Sequence, residues 1–215
     1  MSPKTLLTYW RTQVHDTKKP YLWTDAEALL YMNLAYFEWV RLIGGLRDST
    51  SSLAAITLPA GLDTFQLDPK IIRVLSARDT VRGLPIRVVN SMMPEGLNTS
   101  VSRVGQVRTL IFGEGESTLR IIDTPAADTP LKLVVRRYPL EEVTAASDAF
   151  EIRDEQTEFW VYGMMQRAFL KDDPGTYDKG RSDRAMSQFR AEAATAKTAS
   201  ENANHVPQAV QYGGL

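Results

Sequence analysis

The chain has 215 residues, 43% of them hydrophobic and 24% charged, enough apolar material for one ordinary core or for a body carrying an inserted subdomain. Its 25 Lys and Arg nearly cancel 26 Asp and Glu, so a net charge of −1 supplies no global field toward nucleic acid or an anionic membrane. The absence of cysteine excludes disulfides, thiolate zinc sites and cysteine nucleophiles together.

Read from the start, Ser2 and Pro3 form an N-cap and first helical position, and Leu6, Leu7, Trp10 and Val14 recur at helical spacing, predicting a helix to about Gln13. No basic segment followed by an apolar run stands there, so no secretory signal is expected. Thr24-Asp25-Ala26-Glu27 is a capping box that opens a second helix, closed by Gly44 and Gly45. Glu27, Glu38 and Arg41 share one narrow stripe of that helix, which leaves Leu29, Leu30, Met32, Tyr36, Phe37, Trp39, Val40 and Ile43 around the rest and predicts burial on more than one side. The apolar stretch 28–43 is interrupted by Asn33, Glu38 and Arg41 and is too short to span a bilayer, so no membrane partner is expected.

After Asp48 the pattern changes to short β-like runs at 54–58, 71–75, 86–89, 107–112, 119–122 and 131–137. Turn chemistry at Asp68-Pro69 and at residues 113–116 separates them, and the lack of helical pattern between the runs predicts an antiparallel sheet or small sandwich. The stretch 78–106 has no sustained period and reads either as a functional loop or as a hairpin. Helix resumes at Asp154 and carries Phe159, Trp160, Tyr162, Met164, Met165, Phe169 and Leu170. Asp172-Asp173-Pro174 then starts a long final helix to Ala203. Large apolar residues on that helix stop at Phe189, although helix-forming alanines continue through Ala191, Ala193, Ala194 and Ala196. The far end therefore needs support from outside the domain. Pro207 and paired glycines make 205–215 an extended arm.

The expected fold class is therefore α+β: a helical body from N- and C-terminal helices, an inserted antiparallel β subdomain, and an extended C-terminal arm. The segments are 1–49 and 142–204 for the body, 50–141 for the β subdomain and 205–215 for the arm.

Catalytic chemistry has little support. His15 and His205 lie far apart without partner patterns, so no histidine triad, metal site or cofactor is expected. Gly175 to Ser182 approaches a phosphate loop but follows a helix rather than a strand. Acid pairs at Glu141-Glu142, Asp154-Glu155 and Asp172-Asp173 could serve glycan hydrolysis, yet acids at helix starts are explained by the N-terminal dipole. Arg136 and Arg137, with Arg73, Arg78, Arg82 and Arg87, give the β region a basic content read as a surface face or a DNA-channel contact.

The residues from Leu22 to Asn33, then Ile56 to Ala60, then Ser117 to Pro125, followed by Glu158 to Asp173 with Tyr177, Arg184 and Phe189, resemble the head-to-tail connector proteins of tailed bacteriophages, the adaptor or tail tubular protein A-like family. The chain departs from that pattern at 150–155, where the family places a proline, and across 78–106. The resemblance implies a structural virion protein at the head-tail junction, made in the host cytoplasm: a homo-oligomeric ring, commonly a dodecamer, bound to portal and to a downstream tail or nozzle protein, with double-stranded DNA passing through. Phe189, Ala191, Ala194, Val206, Val210 and Tyr212 are the expected oligomer or portal interface, with Val206, Val210 and Tyr212 reaching another chain. A carboxylate-dependent glycan hydrolase of the virion and a glycan- or ligand-binding β module remain the alternatives.

Overall fold

The computed structural model describes residues 1–90, 103–113, 115–152 and 154–203. The chain divides into two compact units, Met1–Ile43 with Glu142–Leu215, and Gly44–Glu141.

The first unit is helical. Helix α1, Pro3–Gln13, is capped by Ser2, whose Oγ accepts from the Thr5 amide at 3.2 Å, and it buries Leu6 and Trp10. Helix α2, Asp25–Leu42, opens on a complete capping box. The Glu27 amide donates to Thr24 Oγ1 at 3.2 Å, and the Thr24 amide donates back to Glu27 Oε2 at 2.8 Å. Thr24→Ala removes one half of this reciprocal cap and should cost about 1 kcal/mol, read as a thermal midpoint lower by roughly 2–4 °C.

Between these helices the side chain of Arg11, only 6% exposed, fixes the connection. Its guanidinium donates to Asp16 at 2.7 Å, to the Trp23 carbonyl at 3.1 Å and to Asp25 at 2.6 Å, and it lies 3.6 Å from the Tyr21 ring centroid. A buried cation is tolerable when it is paired and hydrogen-bonded in this way.

The C-terminal half supplies α3, Asp154–Thr157; α4, Trp160–Ala168; and α5, Lys179–Ala203. The single helix predicted from Asp154 to Leu170 is broken. Val161 and Tyr162 bond to the carbonyls three residues back, Glu158 and Phe159, in a tight turn. The long final helix begins at Lys179 rather than Pro174. Residues 173–178 form turns, with the Asp173 carboxylate accepting from the Gly175 amide at 2.8 Å, and Asp178 caps α5 through the Arg181 amide at 2.9 Å. α2, α4 and α5 share one core built on Trp39, Met32, Tyr36, Trp160, Met164 and Phe189, each at most 1% exposed. Tyr36 and Trp160 stack with centroids 4.5 Å apart.

The second unit is a curled sheet. Its strands are β1, Leu46–Asp48; β2, Ala55–Leu58; β3, Thr64–Gln66; β4, Ile71–Asp79; β5, Pro85–Asn90; β6, Val104–Gly105; β7, Thr109–Phe112; β8, Thr118–Ile122; β9, Thr124–Pro125; and β10, Thr129–Arg137. The main order is β1-β10-β4-β5-β7-β8-β3, with β2 also on β10. Pairing in the main sheet is antiparallel except between β5 and β7, which run parallel, while β6 and β9 make a separate two-stranded parallel ladder. The inward face packs Leu58, Ile71, Val74, Leu110, Leu119 and Leu133 into one core.

Gly45 joins β1 to what precedes it and has φ +94°. A Cβ there would meet Ile72 Cδ1 at 2.9 Å and the Arg137 amide nitrogen at 3.2 Å, so only glycine satisfies both the backbone angle and the space.

Candidate assembly surfaces

Of the acids singled out in the sequence, Asp154, Glu155 and Asp173 have local structural uses. Asp154 and Glu155 lie in the first turn of α3, and Asp173 organises the turn before α5. Among the described residues no group of three or more His, Asp and Glu could hold a metal ion.

The residues expected at interfaces separate into distinct environments. Phe189 is fully buried, its ring 5.4 Å from the Trp39 ring and packed on Gly163, so it belongs to the core of its own subunit and is no interface residue. The expectation that self-burial ends at Phe189 also fails, because Ala193, one turn further on, is 1% exposed. A methyl suffices there because α5 lies close to the rest of its unit. Burial raises the Tyr162 phenol above its usual value, helped by the neighbouring Tyr9, Glu192 and Glu158. Ala191 and Ala194 lie on the opposite, exposed side of α5. Val206, Val210 and Tyr212 lie outside the described residues.

Arg137 is likewise corrected. It is 7% exposed and donates to Asp48 Oδ2 at 2.6 Å and to the Tyr138 carbonyl at 3.0 Å, so it is a buried structural cation rather than a surface or channel contact. Arg136, its neighbour, is half-buried and donates to the Gly45 carbonyl at 3.1 Å.

Two surfaces of the helical unit were not evident in the sequence. The first is a ridge on α2. Leu30 and Leu34, one turn apart, are 54% and 45% exposed, and Leu22 just before the helix is 56% exposed. The sequence placed Leu30 among the buried residues because only three charged positions marked the solvent side, whereas the structure leaves this apolar strip uncovered. Charged contacts run beside it on the same outward half of the helix: Glu38 pairs with Arg167 of α4, and Glu27 with Lys171 at 2.6 Å. The Lys171 ammonium, with the Thr24 groups, holds the Glu27 carboxyl below its usual value.

The second surface is a groove of about 320 Å³ floored by Tyr162, Met165 and Phe169 and edged by Arg181, Arg184 and Gln188. Arg181 lies 5.4 Å from the Phe169 ring and 3.7 Å from Asp178. Tyr162 and Gln188 lie 26 residues apart, and Gln13, which also lines the groove, lies 175 residues before Gln188, so helix packing assembles it.

What the described surface offers is contact area. A family model described as SU10 adaptor protein matches residues 1–211. The chain belongs to this family of phage head-to-tail adaptors. A search of curated proteins finds no match. Membership makes the protein a structural adaptor of a phage particle, and the family implies interaction with portal and tail proteins. Among the described residues no helix is long and apolar enough to cross a membrane.

Proposed function

We propose that the protein forms a closed ring of twelve identical subunits below the portal, at the head-tail junction, joining capsid to tail and letting double-stranded DNA pass through its centre. It is synthesised in the host cytoplasm, performs no bond-breaking chemistry, and binds portal above and a tail or nozzle protein below. The observation that carries this reading is the family match over residues 1–211.

The surfaces support it. A heterologous ring contact needs two different complementary faces on each subunit, and the helical unit carries an uncovered leucine ridge on α2 and the exposed small side chains Ala191 and Ala194 on α5. Val206, Val210 and Tyr212 supply the apolar positions of an arm that attaches to a neighbouring chain.

Native mass measurement of the protein mixed with its portal tests the reading, with rings bound to portal expected. A chain that stays monomeric with portal present would sink it. Truncation after Asn204 should weaken attachment to portal; unchanged attachment removes the arm from the account.

A further inference from the structure

Strands β6 to β9 bring two arginines to one concavity of the β unit. Arg103 immediately precedes β6, whose Val104 pairs with Thr124 of β9. Arg108 immediately precedes β7, whose Thr109 pairs with Ile122 at the end of β8, so Asp123 stands at the next rung from Arg108. Both arginine backbones are held from neighbouring strands. The Arg103 carbonyl accepts from Thr124 Oγ1 at 3.5 Å, and the Arg108 carbonyl accepts from the Arg87 amide at 3.0 Å. Asp123 has φ +65°, a left-handed conformation that Asp and Asn adopt more readily than other side chains.

The two side chains are uncommitted. Arg103 and Arg108 are exposed, and among the described residues neither guanidinium has a hydrogen bond or an ion pair, with Asp123 or any other group. Both nevertheless line the same concavity of about 470 Å³, with Gln106 and Asp123 completing its polar wall. A fold gains nothing from two like charges around one hollow, and an anion between them turns that repulsion into attraction.

We propose that this concavity binds a phosphate group between the two guanidinium forks. A single fork uses both oxygens of a carboxylate in one bidentate pair. A phosphate presents more oxygens, so two forks can grip it at once. The volume lies within the range of small-ligand sites, which leaves room for the group the phosphate is attached to. Asp123 opposes an anion and sets the affinity below what two arginines alone would give. The phosphate can belong to the backbone of double-stranded DNA or to a small phosphate ester, and the contact has the same chemistry in both. The site uses no residue of the helical unit, so it stands apart from the ring reading.

The test uses the full chain labelled with nitrogen-15, with inorganic phosphate, acetate and a random 24-base-pair duplex as probes. Inorganic phosphate should shift the side-chain Nε–H signals of Arg103 and Arg108 saturably, and acetate at equal ionic strength should not. Arg103→Gln/Arg108→Gln should bind phosphate at least about tenfold more weakly. Its thermal midpoint should be unchanged, because both side chains are exposed. Asp123→Asn should bind phosphate about threefold more tightly by removing the like charge, and it serves if the arginine variant folds poorly. Duplex that displaces phosphate identifies the DNA backbone as the source, whereas phosphate binding that duplex leaves untouched identifies a small ester. No saturable shift with phosphate, equal shifts with acetate, or undiminished phosphate binding by the arginine variant would each overturn the proposal. Ring formation with portal, measured on the same samples, reads the ring account separately: its absence in the wild type would strike that account and leave the phosphate result standing.

Discussion

Arg137→Ala should lower the stability of the β unit by about 3–5 kcal/mol, the cost of leaving a buried charge without its partner. Asp48 and Arg137 have side chains 4% and 8% exposed. The Asp48 carboxylate accepts from Arg137 Nε at 2.6 Å, from the Thr50 and Ser51 amides at 2.8 and 3.1 Å, and from the Ser51 hydroxyl. Strand β1 is only three residues long, so this one carboxylate fastens both it and the turn after it to β10. Burial alone would push the Asp48 carboxyl up, but the Ser51 hydroxyl, Arg137 and the two amides outweigh it and hold the group well below the usual carboxylate range. A folded value below the unfolded value of about 3.9 means that the proton stabilises the unfolded chain. Asp48's contribution is complete above that pH and drains away as the pH falls below it. Urea midpoints measured from pH 7 down to pH 2.5 should therefore fall steeply at the acid end for the wild type and less steeply for Asp48→Asn, which has no such charge to lose. Parallel curves for the two proteins would show that Asp48 is not the group responsible.

The capped starts of α1 and α2 and the class of the fold were legible because their signals are local. Thr24 with Glu27 names a capping box within four residues, and the runs at 71–75 and 131–137 announce strands by composition. What the sequence hid depends on distance along the chain. On a strand adjacent residues face opposite sides, so Arg136 and Arg137 could never both be surface cations. The inward one needed an acid, and Asp48 lies 89 residues away. The parallel pairing of β5 with β7 and the three-residue strands β1 and β3 carry too little alternation to be seen without their partners. The final helix misled for a different reason. Large side chains stop at Phe189, but burial depends on how close the next helix comes, and where helices come close an alanine fills the gap. Leu30 shows the converse, since an apolar residue on a mostly buried helix was left with nothing against it.

Phe189→Ala should destabilise the isolated helical unit by about 3–5 kcal/mol, the range for emptying a packed aromatic site. The ring is wholly excluded from solvent and meets Trp39 at 5.4 Å. It can enter because position 163 lacks a side chain: a Cβ on Gly163 would stand 2.9 Å from Phe189 Cε2 and 2.9 Å from Ala35 Cβ. Gly163 thus sets the distance at which α2, α4 and α5 meet, and Gly163→Ala should cost about 1–3 kcal/mol by overpacking. The two changes touch the same space, so their combination should cost less than the sum, because the added methyl occupies room the ring has left. Only the contact with Ala35 would remain to strain it. Urea unfolding of the dissociated subunit separates this account from an assembly role. A residue that served only at an interface would leave the monomer's midpoint where it was and show its effect in ring formation alone.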